Sequence, residues 1–146
     1  MKALLAGAAI LACLGSPVLM ERAEIVNGIS KFDATEIQVA VKAQIDALAV
    51  EDADGAFRMA TLDRQASIGS SEKFLKLIKK HYLPLHQHVY AHYALPKVVN
   101  GETFQAVRLT DRDSHVWLAV FKMAPGRDAR WKIDGCYLLE TKGVAI

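Results

Sequence analysis

The apolar spacing of this chain changes once, and that change constrains the fold more than any other feature. Up to Tyr82-Leu83-Pro84 the apolar residues recur with the period of a helix. From His86 onward they alternate with the period of a strand. Short turn signals divide the second half. Asn100-Gly101 predicts a two-residue hairpin, and Asp111-Arg112-Asp113-Ser114 and Pro125-Gly126-Arg127-Asp128 predict two more turns. Connections this short join only antiparallel neighbours. Strands are expected at 88–98, 103–110, 115–123 and 130–140, forming a four-stranded meander.

The first half reads as three helices. Asp33 is the expected N-cap of the first, with Glu36 three residues on as in a capping box. Ile37, Val41, Ile45 and Leu48 form one stripe, and the acidic run Glu51 to Gly55 ends it. A short helix over 54–60 turns Ala56, Phe57 and Ala60 inward, and 61–70 reads as a loop. The third helix starts at Ser70-Ser71-Glu72, points Phe74, Leu77, Ile78 and Tyr82 inward, and stops at Pro84. Lys73, Lys76, Lys79 and Lys80 suggest a solvated cationic face. The fold class is therefore α+β: three N-terminal helices packed on a four-stranded antiparallel sheet.

Both faces of the third strand ask for burial: Val116, Leu118 and Val120 on one, Trp117, Ala119 and Phe121 on the other. One face can meet the helices. The other calls for a partner, expected to be a second copy docking on an outer face that carries Trp117 and Phe121. In the last strand, alternation puts Trp131, Ile133, Tyr137 and Leu139 on one face and Lys132, Asp134 and Glu140 on the other.

Residues 1–20 read as a secretory leader. Lys2 precedes an apolar run from Ala3 to Cys13, and Gly15, Ser16 and Pro17 interrupt it before it could span a bilayer. A periplasmic or envelope-associated location follows. Ile10-Leu11-Ala12-Cys13 resembles a lipoprotein processing box, which would lipidate Cys13 and anchor the chain to a membrane; cleavage near Gly15 is the alternative. Residues 21–32 are then a tether, 33–141 one domain and 142–146 a tail. With Cys13 removed or lipidated, Cys136 is a lone thiol, and its apolar neighbours make it buried and inert.

Composition excludes several functions. The formal charge is +2, and about +1 without Lys2, too little for a nucleic-acid surface. No phosphate-binding glycine loop, dinucleotide fingerprint, nucleophile elbow or zinc-protease motif occurs, so no cofactor is expected. Asp52-Ala53-Asp54-Gly55 lacks the further ligands of a calcium loop.

The candidate chemistry is sparse. His86, His88, Tyr90 and His92 share one side of a strand beginning near His86. Imidazoles at alternate positions, ~6.5–7 Å apart, could hold Zn²⁺, Cu²⁺ or Ni²⁺ through His86, His88 and His92. The competing reading is a solvent-facing histidine patch. Asp46, one position past the core residue Ile45, could meet His92 or Tyr90 as an acid–base pair at a pocket edge. The competing reading there is an exposed helix carboxylate. With lipidated Cys13, the lysine face could meet anionic headgroups.

Gln44-Ile45-Asp46-Ala47-Leu48, Asp52-x-x-x-Ala56-Phe57, Ile68-Gly69, Phe74 and Tyr82-x-Pro84 form one set of markers. Val107-x-Leu109-Thr110-Asp111, Val116-Trp117-Leu118-Ala119-Val120 and Trp131-x-Ile133-x-Gly135-Cys136 complete it. Together they resemble the bacterial domain of unknown function family 4864, over roughly residues 36–140. That resemblance implies a curved sheet in a cystatin-like, nuclear transport factor 2-like cone. It implies no activity and transfers no catalytic residue, and the histidine-rich stretch lies outside it. A cone leaves an open end. A filled apolar interior would mark a non-catalytic ligand-binding or structural module of the envelope, the leading expectation. An open pocket with polar groups from Asp46, Tyr82, Tyr90 or His92 would mark a small isomerase, dehydratase or hydrolase. A periplasmic metal-binding protein is the third reading.

Overall fold

A computed structural model describes residues 25–142. The leader and Cys13 lie outside the described residues. The domain is α+β, and its elements begin earlier than the tether boundary. Strands β1 (Ile25–Val26) and β2 (Ile29–Ser30) form a hairpin. Its turn residues, Asn27 and Gly28, both have positive φ, 55° and 82°. This is the geometry that Asn-Gly supplies at low cost. Asn27 O accepts from Val98 N–H at 3.1 Å, so the hairpin is clipped to the far edge of the main sheet.

Helix α1 (Lys31–Ala49) starts one turn before the expected cap. Ser30 is the N-cap, its Oγ accepting from Asp33 N–H at 3.0 Å and donating to Asp33 Oδ2 at 2.7 Å. Asp33 is therefore the third helical residue, and its carboxylate accepts from the hydroxyl of the cap. The expected stripe is the buried face: Ile37, Val41, Ile45 and Leu48 are shut from solvent, with Ala40 and Gln44 beside them.

Five helices replace the three expected. After α1 come α2 (Ala53–Phe57), α3 (Leu62–Ile68), α4 (Ser71–His81) and α5 (Leu83–His86). Helix α3 occupies the stretch expected to be a loop. Thr61 caps it, accepting from Arg64 N–H at 3.3 Å, and Gly69 ends it. Pro84 sits in the first turn of α5, where its missing N–H has no intrahelical role.

The main sheet is antiparallel and five-stranded, in the order β3-β5-β6-β7 with β4 also beside β5. The expected first strand is two, β3 (Tyr90–Tyr93) and β4 (Lys97–Val99), broken around buried Pro96. Proline donates nothing to a ladder, which explains the break. β5 (Glu102–Thr110), β6 (Val116–Pro125) and β7 (Trp131–Thr141) follow as read. Val99 faces Glu102 across the two-residue Asn100-Gly101 turn.

Two face assignments change. Phe121 is fully buried and Trp117 packs against the core, so both face the helices rather than an outer docking surface. Val116, Leu118 and Val120 hold the outer face. In β7 the register shifts: Lys122 faces Gly135 but Met123 faces Ile133, leaving Asp134 bulged. A bulge adds one residue and reverses the alternation beyond it. Trp131 and Ile133 turn inward as expected, whereas past the bulge Cys136 and Leu138 turn inward and Tyr137 and Leu139 face solvent. Truncating a buried Phe such as Phe121 costs about 3–5 kcal/mol, which measures the weight of the inner row. Among the described residues, no helix is long and apolar enough to cross a membrane.

Candidate functional site

The bulge builds the site. Asp134, freed from the ladder, accepts from Thr61 Oγ1 at 2.9 Å and pairs with Arg64 at 3.7 Å. Arg64 Nε also donates to the Asp134 carbonyl. On the same edge of the strand, Thr61 N–H donates to Ile133 O and Ile133 N–H to Met59 O, both at 2.9 Å. Helix α3 is thereby held against β7. Helix α4 is fixed separately, by Phe57 against Phe74 (centroids 5.7 Å apart) and by Ser71 Oγ donating to Asp54.

Between α3, α4 and β7 a cavity of about 730 Å³ remains. Phe74, Ile78, Leu85 and Ile133 form its apolar base, with Gln44 of α1 beneath them. Gln44 is nearly inaccessible, and its Nε2 donates to Ala56 O at 3.1 Å. Arg64, Lys73, Leu77 and Tyr137 stand at the rim. Cys136 lines the wall, and burial pushes its thiol up to about 12, which keeps it protonated. A shallower hollow of about 460 Å³ shares Leu77, Tyr82, Cys136 and Tyr137 with this cavity and continues to His81 and Leu139. The two make one groove along α4 and β7.

Of the four residues expected at a pocket, only Tyr82 lines this one. Asp46 is exposed and paired with Lys42 at 2.6 Å. Tyr90 and His92 lie exposed on the outer face of β3. The tyrosine that feels Asp46 is Tyr93, one face over. Burial first, and then the Asp46 charge, push its hydroxyl up to about 12.

The histidines expected to bind metal do not share one strand. His86 belongs to α5 and its Nδ1–H donates to Leu48 O at 2.8 Å. His88 Nδ1–H donates to Pro84 O at 3.0 Å, and His92 alone is in β3. Among the described residues, the group whose metal-capable atoms do converge is Asp111, Asp113 and His115. There the Asp111 carboxylate is already occupied. It accepts from Asp113 N–H and His115 N–H at 2.9 Å and from Trp117 Nε1–H at 3.1 Å, closing the β5–β6 turn.

Sequence reasoning missed Arg64, Lys73, Gln44 and Tyr137 as lining residues. For Arg64 a signal existed: Thr61 as cap, Asp63 in the first turn and Gly69 as stop bound a helix.

Fold and cavity together define a small α+β domain with an open, largely apolar groove between its helical layer and the last strand. The chain belongs to the family described as Domain of unknown function (DUF4864), whose family model matches residues 30–146. Comparison with curated proteins and with solved structures gives no significant match.

Proposed function

We propose that this domain is a non-catalytic binding module of the bacterial envelope that takes a small molecule into the α3–α4–β7 groove. The observation that carries this reading is the cavity of about 730 Å³, within the ~300–1,000 Å³ of ordinary ligand pockets. An open cavity argues against a filled, purely structural cone. The lining argues for binding over catalysis. The cavity contains no carboxylate, the one histidine of the groove, His81, stands at its far shallow end, and the thiol is held protonated. The likeness to a nuclear transport factor 2-like cone belongs to the same proposal, supported by a long first helix across a bulged antiparallel sheet. The envelope location rests on the leader of residues 1–20.

Leu77 at the rim is a third exposed, so a Leu77→Trp variant places a fluorophore there without disturbing the core. Saturable emission changes with apolar or amphipathic small molecules, recovered chemically unchanged, are the expected result. Recovery of a converted product would make the protein an enzyme, and no saturable change with any of them would end the binding reading. Mass spectrometry of protein recovered from cells reads the leader in parallel, as cleavage near Gly15 or a lipid on Cys13.

A further inference from the structure

We infer that the groove is selective for a single-chain amphiphilic anion, with its head at Lys73 and Arg64 and its tail laid along α4 towards Leu139. This rests on the binding reading above and adds the chemical class of the ligand.

Charge is the first argument. The cavity lining carries two cations and no acid. Arg64 is steadied by Asp134, which engages Nε and orients the guanidinium. Lys73 has no ion-pair partner among the described residues, whereas Lys42, Lys79 and Lys122 each pair with a carboxylate. The hollow on the other side of α3 makes a useful contrast. It mixes Arg58, Arg127 and Lys132 with Asp63 and Asp128, besides the Asp134 that Arg64 engages, and so is largely compensated. The α4 side has no carboxylate in its lining, which leaves Lys73 to be answered by a ligand.

Shape is the second argument. From Lys73 the groove passes Leu77 and Tyr137 and reaches His81 and Leu139. Eight residues of helix separate Lys73 from His81, a run of ~12 Å. Leu77 is 37% exposed on the α4 side of that line, and Cys136 and Leu138, the inward residues of β7, line the opposite wall. An open groove with a cation at one end and mainly apolar walls up to His81 matches an alkyl carboxylate. Charged hydrogen bonds would fix the head and burial of methylenes the tail.

The test is calorimetric titration of the full-length chain with sodium decanoate, methyl decanoate and sodium acetate. Decanoate should bind, the neutral ester about tenfold more weakly, and acetate not at all. Lys73→Glu should weaken decanoate about tenfold and leave the ester unchanged. Lys76→Glu carries the same charge change outside the groove and should stay within about twofold. Equal binding of decanoate and ester overturns the anionic head while leaving the cavity reading in place. No binding of either removes both. Equal losses in the two lysine variants, together with retention on phosphatidylglycerol vesicles, would overturn the inference by assigning these lysines to a membrane-facing patch.

Discussion

Asp33 serves two partners at once. Its Oδ2 accepts from the hydroxyl of the cap Ser30, and its Oδ1 accepts from Trp131 Nε1–H at 3.0 Å. These hydrogen bonds, that of Trp131 first, hold its carboxyl below its ordinary value of 3.8. A carboxylate whose folded pKa is depressed contributes stability that is present above the unfolded value and lost as pH falls through the folded one. Acid titration of stability should therefore show a loss beginning near pH 4 and continuing below it. That loss should be shallower in Asp33→Asn, measured by urea unfolding between about pH 2 and 5. Ser30→Ala should cost about 1 kcal/mol at neutral pH. An unchanged acid slope in Asp33→Asn would show that other carboxylates set it.

At the scale of elements, the bulge at Asp134 decides where α3 goes. Asp134→Ala removes the acceptor of Thr61 and the carboxylate beside Arg64 but leaves the backbone contacts. A loss of about 1–2 kcal/mol is expected. Hydrogen exchange should quicken over 62–68 and stay slow in α1 and β6. Exchange that quickens uniformly would mean that α3 is not held locally. The same bulge explains what could be read in advance. The α1 stripe and the Asn100-Gly101 turn were legible because each follows from residues close in sequence. Helix α3 was not, since it spans seven residues and buries none fully, so its period is too short to register. The β7 faces were misassigned beyond Gly135 because strict alternation has no place for an extra residue. That error hid Cys136 as a wall of the groove. Of the expected pocket residues Tyr82 alone was placed correctly, since Asp46 lies on the exposed side of α1 and Tyr90 and His92 on the outer side of β3. Arg64 and Lys73 became site residues only through the packing of helices distant in sequence from β7.

For the whole molecule, the outer sheet face is the surface on which association is predicted. Registered rows place Arg108, Leu118 and Leu139 side by side, and next to them Ala106, Val120 and Tyr137. This face, rather than the one holding Trp117 and Phe121, is where a second copy would dock. Sedimentation equilibrium at micromolar concentration should give a dimer, and Leu118→Glu a monomer of unchanged fold by circular dichroism. A monomeric parent chain would discard the idea. The Trp131–Asp33 bond has a different consequence. It ties the first turn of α1 to the start of β7 across 98 residues, and β7 also supplies one wall of the groove. Such long loops close late. A chain threaded through a secretion channel from its N-terminus could form α1 early but could not lock it, or enclose a guest, until its last strand had emerged. If the chain is exported as proposed, export competence and a finished groove are states that exclude each other in time.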